Sequence, residues 1–132
     1  MIFTNIVPRV SETDGVGHIN NVFIPIWFEA GRREIFRIFS PNLDFVNWKL
    51  ALVKVTVEYV DQLYLAENVE VRTGVEKIGS SSFTIREEIH QTNRLCAKGQ
   101  AVYVNYNFTE KRSEAIPNKI RNRLESIDFL EK

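Results

Sequence analysis

The sequence predicts an α+β domain in which a curled antiparallel sheet of five strands wraps around one long helix, with a short helix at the C-terminus. Three observations carry this expectation. Apolar residues recur at three- and four-residue steps between Ile24 and Phe39, as on one side of a helix. Beyond residue 50, four stretches repeat with period two, as in strands with one buried face. The chain contains no other layer that could cover an apolar helix.

The first strand is read over Ile2 to Val10, ended by Pro8-Arg9-Val10. Ser11 to Asn21 holds two glycines and several short polar residues, and so reads as a loop. The helix should begin near Asn21, because Pro25 is tolerated only in a first turn. Asn20 or Asn21 can cap it, and Ser40-Pro41 closes it. Ile24, Trp27, Phe28, Gly31, Ile35, Ile38 and Phe39 form its stripe, while Glu29 and Arg33 sit four apart on another side. Val22 to Phe28 is apolar nearly all round, as expected of a helix enclosed by a sheet.

Four strands follow. Ala51, Val53, Val55, Val57 and Tyr59 share a face in Leu50 to Val60, and Val69, Val71 and Val75 do so in Asn68 to Ile78. Phe83, Ile85 and Ile89 alternate with Arg86, Glu88 and His90 in the next. Val102, Val104, Tyr106 and Phe108 share a parity in Leu95 to Phe108. Gly79-Ser80 and Gln91-Thr92-Asn93 mark tight turns. After Pro117 an amphipathic helix runs toward Leu130, with Ile120, Leu124 and Ile127 on one side.

The 132 residues suit a single domain spanning 1–132, long enough to bury roughly two-thirds of the unfolded surface without a staple. With 44% hydrophobic and 26% charged residues, the composition is globular rather than disordered. Seventeen basic residues balance 17 acidic ones, which argues against a nucleic-acid or membrane-surface binder. One cysteine, Cys96, excludes an internal disulfide, and with only two histidines no Cys/His metal site is expected. The start shows no secretion signal and no apolar run nears the ~20 residues of a membrane span, so the expected location is cytoplasmic.

Chemistry concentrates in the loop before the helix. Asp14 precedes Asn21 by seven residues, with glycines between them that let the backbone fold sharply. The N–H groups around Asn21, Val22 and Phe23 lack intrahelical acceptors and would favour an oxygen that becomes negative. A carboxylate beside such donors has the parts for acyl transfer: the donors hold a carbonyl oxygen while Asp14 activates water or attacks. An aspartate before a helix is also a common cap or Asx-turn residue, so these residues alone leave both readings open.

The stretch from Arg9 to Arg32 resembles the opening of the 4-hydroxybenzoyl-CoA thioesterase-like acyl-CoA thioesterases, which have the hotdog fold. Their D-x-x-G-H-x-N-N signature stands here as Asp14, Gly17, His18, Asn20 and Asn21, and their F-E-x-A-R as Phe28-Glu29-Ala30-Gly31-Arg32. Val57-Glu58-Tyr59, Ile78 to Phe83, Ala101 to Val104 and Ile116-Pro117 also fit, so the resemblance covers nearly the whole chain. It implies that Asp14 is catalytic, as general base or nucleophile, and that the Asn21 backbone N–H polarises the thioester carbonyl. It further implies an acyl-CoA substrate and paired hotdogs with the site at the subunit interface, as a homodimer or homotetramer. Gly17, His18, Val22, Tyr59, Ser80 and Ser81 are read as substrate contacts, Ser80 and Ser81 equally as ordinary turn residues, and no cofactor is expected.

Val60-Asp61-Gln62 and Ala66-Glu67 stand where the family commonly has R-P and G-D, departures near the CoA path that bear on substrate preference more than on chemistry. Asn21 stands where some relatives have a histidine, so that acid/base partner is missing. The competing reading is a non-catalytic acyl-CoA or acyl-carrier-protein binding module on the same fold, which would not need Asp14. His18 is read either as orienting Asp14 or as a loop-capping residue. His90 is expected to face solvent and Cys96 to be a strand or core residue. Lys77, Arg72 and Arg94 are candidates for CoA phosphates or ordinary surface charges.

Overall fold

The structure is a computed structural model describing residues 1–129. Five strands form one antiparallel sheet: β1 (Ile2–Ile6), β2 (Leu50–Tyr59), β3 (Val69–Ile78), β4 (Ser82–Gln91) and β5 (Arg94–Asn107), in the order β1-β3-β4-β5-β2. A two-residue strand, β6 (Arg112–Ser113), adds to β5. The first strand is shorter than the sequence pattern suggested, because residues Val10–Glu12 coil into a single 3₁₀ turn. Thr92 and Asn93 both take positive φ (48° and 61°) in the β4–β5 hairpin, the backbone twist that suits a two-residue connection.

The expected long helix is broken. A 3₁₀ turn over Asn21–Phe23 leads into α1 (Ile24–Gly31), and α2 (Arg33–Phe39) follows after a break at Arg32. Pro25 occupies the first turn of α1, as its missing N–H requires. At Arg32 the N–H reaches back to Glu29 O (3.0 Å), a three-residue step that tightens the turn. The break lies where the helix touches the sheet. A Cβ on Gly31 would stand 2.6 Å from Thr73 Oγ1 and 2.8 Å from Val71 Cγ1. The third helix, α3 (Asn118–Glu125), buries Leu124 and ends before Leu130, which lies outside the described residues.

The stripe Ile24, Trp27, Phe28, Gly31, Ile35 and Ile38 is buried as anticipated. Two clusters flank the helix break, one around Phe28, Ile19 and Leu63, the other around Ile35, Phe83 and Tyr103. The helix is not enclosed all round, however: Val22 and Ile26 are 63% and 57% exposed, so one side of it lies open.

Two strand faces differ from expectation. In β2 the register shifts between Leu52 and Lys54, so Leu50 and Leu52 face the same side as Val55, Val57 and Tyr59, and Ala51 and Val53 do not. A bulge inserts one residue and flips the parity, which period counting cannot detect. In β5 the buried parity is Ala97, Gly99, Ala101, Tyr103 and Asn105, while Val102, Val104 and Tyr106 are half-buried on the outer face. Where the helix presses, around Ala97, Gly99 and Ala101, the inner face is held by small residues, with Phe28 3.1 Å from where a Gly99 Cβ would sit. No helix among the described residues is long and apolar enough to cross a membrane.

Candidate active site

The loop before the helix is a small hairpin. Thr13 and Ile19 form an antiparallel bridge, and the Asp14 N–H donates to His18 O at 2.9 Å. Gly15 and Gly17 turn its tip with φ of +91° and +94°, a backbone state glycine adopts at no steric cost. One Asp14 carboxylate oxygen accepts the Val16 N–H (3.0 Å), closing an Asx turn. The other lies 3.9 Å from His18 Nδ1, too long for a hydrogen bond. Both side chains are a little over one-third exposed, at 37% and 40%. Asp14 therefore keeps an oxygen that is open to water or substrate.

Three devices hold this hairpin in place. On one side it is stitched to residues 63–65: the Ile19 N–H donates to Leu63 O (2.8 Å), and the Leu65 N–H to Gly17 O (3.2 Å). The His18 ring meets Tyr64 edge-on, with centroids 5.2 Å apart. Behind that segment, the buried Gln91 side chain acts as a clamp. Its Oε1 accepts the Tyr64 N–H (2.9 Å), and its Nε2 donates to Tyr64 O (2.7 Å) and Glu67 O (2.8 Å). At the hairpin's other root, buried Glu12 accepts from Trp27 Nε1 (2.9 Å) and the Arg9 N–H (2.8 Å), tying the loop to α1. Burial alone would raise the Glu12 carboxyl. The Trp27 and Arg9 donors outweigh it and hold the group below its usual range.

At the helix start, Asn20 is the cap. Its Oδ1 accepts the Val22 N–H (3.1 Å) and its carbonyl accepts the Phe23 N–H (3.0 Å). The expectation of three free donors is thereby corrected, since Val22 and Phe23 are already satisfied. No acceptor among the described residues takes the Asn21 N–H. The Tyr59 hydroxyl donates to Asn21 O (3.3 Å), so β2 braces the same peptide from the sheet side.

Residues 8–124 match the family model of the thioesterase-like superfamily. The chain belongs to that superfamily. Among solved structures, a predicted thioesterase from Bacillus stearothermophilus is 52% identical, with a TM-score of 0.95, covering 99% of this chain and 98% of its own. A thioesterase from Thermus thermophilus, complexed with coenzyme A and Zn, is 24% identical at a TM-score of 0.81, covering 93% and 96% of the two chains. A 1,4-dihydroxy-2-naphthoyl-CoA thioesterase from Synechocystis, 16% identical at 0.81, covers 98% of each. No curated protein matches the chain. The fold is the hotdog fold expected above, and this superfamily member is a thioester hydrolase.

Within one copy of this thioesterase, Asp14, Gly17, His18, Asn21, Val22 and Tyr59 gather at one end of the helix. Ser80 and Ser81 do not join them. They sit in the β3–β4 turn, whose neighbours Ile78 and Phe83 belong to the other core cluster. The ten residues of β3 put about 30 Å between the two ends. The Ser80 and Ser81 carbonyls accept the Ile116 N–H (2.8 Å) and the Asn105 N–H (2.7 Å).

Among the other candidates, His90 Nε2 pairs with Glu88 (2.8 Å) on the outer face and is mostly covered rather than solvent-facing. Cys96 is buried, and that burial pushes its thiol up. Arg94 is held by Asp61 (2.7 Å) and lies against the Tyr64 ring. Arg72 is paired with Glu70.

Sequence reasoning missed Glu12 and Gln91. A glutamate in a polar loop reads as solvated, and a glutamine at a turn reads as a turn residue. For Glu12 a signal existed, because a carboxylate three residues after Arg9 can receive its N–H across one turn.

Proposed function

We propose that the protein is an acyl-CoA thioesterase in which Asp14 acts as general base, or as nucleophile, while the Asn21 N–H binds the developing oxyanion. The observation that carries this reading is a partly exposed carboxylate and a helix-start N–H in one loop, the carboxylate free at one oxygen and the N–H without an acceptor among the described residues. A thioester carbonyl set on the Asn21 N–H gains charge as it is attacked, and a fixed donor stabilises that charge most in the transition state. His18 is placed to steer the open Asp14 oxygen or a water bound to it. Coenzyme A in the complexed Thermus thermophilus relative supports CoA as the leaving group.

The functional unit on this reading is a homodimer or larger homo-oligomer. β2 is an edge strand with one side unpaired, and Leu52, Val53 and Val55 are exposed along it. A second copy is also what would bring a Ser80–Ser81 turn to the Asp14 end. The substrate-binding roles of Gly17, Val22, Ser80 and Ser81, and a cytoplasmic location, belong to the same proposal.

The test is free-thiol release from a panel of aromatic, short and long acyl-CoAs, with Asp14→Asn alongside. The aspartate variant is expected to lose on the order of 10²–10⁴-fold in turnover while staying folded. Turnover per folded molecule left intact in Asp14→Asn sinks the assignment. Binding without any hydrolysis favours the acyl-CoA-binding module. A single turnover in heavy-oxygen water then separates the two chemistries: label in the Asp14 carboxylate means direct attack, and label confined to the released acid means an activated water.

A further inference from the structure

Most arginines of this protein are engaged by the protein itself. Of the ten, six form ion pairs with carboxylates, Arg72 with Glu70 and Arg94 with Asp61 among them. Arg121 donates to the Gly79 and Ser80 carbonyls (2.7 and 3.4 Å). The three that remain, Arg33, Arg37 and Arg123, have no hydrogen-bond, ion-pair or aromatic partner among the described residues. All three line one cavity of about 450 Å³ between α2 and α3.

Helix dipoles account for part of this placement. Arg37 and Arg123 stand in the last turns of α2 and α3, where a cation is favoured. Arg33 opens α2, where the dipole disfavours it, and it precedes Arg37 by four residues, a like-charge spacing that weakens a helix. Arg123 adds a third guanidinium from the other helix. Ile38 and Ile127 supply the apolar part of the lining, and its one acid, Glu34, pairs with none of the three cations. Three cations against one carboxylate leave the cavity positive, and its concave wall focuses that field.

Guanidinium groups match phosphate oxygens through paired N–H donors, and three of them around one concavity suit a group carrying two or more negative charges. We propose that the α2–α3 cavity binds a phosphate-bearing polyanion. Arg72 and Arg94, candidates for CoA phosphates by sequence, are already held by acids, whereas these three arginines are free to take a ligand. The cavity is separate from the proposed reaction centre. Arg37 follows Asn21 by 16 residues, about 24 Å at 1.5 Å per residue, and Ile38 and Ile127 pack with the other core cluster. The assignment therefore does not rest on Asp14. Coenzyme A and a separate phosphorylated molecule offer the same chemistry, and binding distinguishes them.

Affinities are measured by titration calorimetry at low ionic strength for pyrophosphate, ADP, CoA and 3′-dephospho-CoA. The proteins are wild type, Arg37→Gln, Arg123→Gln and, as control, Arg112→Gln on β6. All three arginines are exposed, so the substitutions leave the core intact. Each cavity variant is expected to weaken pyrophosphate about five- to tenfold, and Arg112→Gln to stay within about twofold. Added salt should weaken the wild-type complex. If CoA binds wild type more tightly than 3′-dephospho-CoA, and the cavity variants erase that difference, the ligand is the phosphate of CoA itself. If the variants weaken pyrophosphate and ADP but leave CoA unchanged, the ligand is a separate phosphorylated molecule.

Binding by none of the four probes, or affinities that neither cavity variant alters, overturns the proposal. An equal loss in Arg112→Gln does so too, because net charge would then explain it. So does polyglutamate binding in place of every phosphate, which would give this face to an acidic protein.

Discussion

Glu12 shows how a buried carboxylate can hold the proposed reactive loop in place without taking part in its chemistry. Its carboxylate is buried because three donors meet it, and the charged form is the one they favour. A carboxyl held below its unfolded value stabilises the fold above about pH 4.5, and that contribution is lost as pH falls through the lowered value. Wild type and Glu12→Gln should therefore differ most in melting temperature near neutrality and converge as the solution is acidified through that lowered value. A gap that stays constant with pH would show that the charge is not what stabilises the loop.

Gln91 is the second such residue. Gln91→Leu removes three hydrogen bonds to the partly buried peptide groups of Tyr64 and Glu67, at a cost of about 0.5–1.5 kcal/mol for each bond lost. Urea unfolding measures that loss. Turnover should fall as well, because the Asp14 hairpin is stitched to the same segment. Retention of full turnover in the folded variant would show that the hairpin holds without the clamp.

At the scale of elements, the break between α1 and α2 is the main decision. Arg32 turns inward there and donates through Nε and Nη2 to Glu87, and through Nη1 to Tyr103, all three side chains being buried. Removing the cation alone, as in Arg32→Met, strands a buried carboxylate and is expected to cost about 3–5 kcal/mol. Next to it, Gly31→Ala drives a methyl group into Thr73 and Val71. Helix propensity would favour alanine by up to about 1 kcal/mol, but overpacking of about 1–3 kcal/mol opposes it. The expected outcome is a net fall in denaturant midpoint. A rise would mean that the sheet yields at Val71 and that propensity wins.

At the scale of the whole molecule, β2 carries the argument for a second copy. A ten-residue edge strand with exposed Leu52, Val53 and Val55 is a template for pairing unless something covers it. A lysine there is a common way of keeping an edge from pairing. Val53→Lys is accordingly expected to lower the sedimenting mass toward the monomer, with activity falling in step if the site is shared between copies. Unchanged mass would move the interface away from this edge, and a wild-type monomer at micromolar concentration would remove it.

What the sequence by itself determined is the fold class and the location of the loop proposed to carry the chemistry. The helical stripe, the alternation in β3 and β4, and the Asp14 to Asn21 motif are local patterns, set by backbone periodicity and turn chemistry. Those rules hold whatever the chain later packs against. Tertiary structure decided the rest. It chose the inner face of β5, where the helix presses on small residues around Gly99 while pattern counting selects large ones. It flipped β2 at a bulge, and it broke the helix where Arg32 found Glu87, fifty-five residues away. It also buried Glu12 and Gln91, whose partners lie in other elements. A charged or amide side chain is buried only when distant donors and acceptors converge on it, and no local pattern records that convergence.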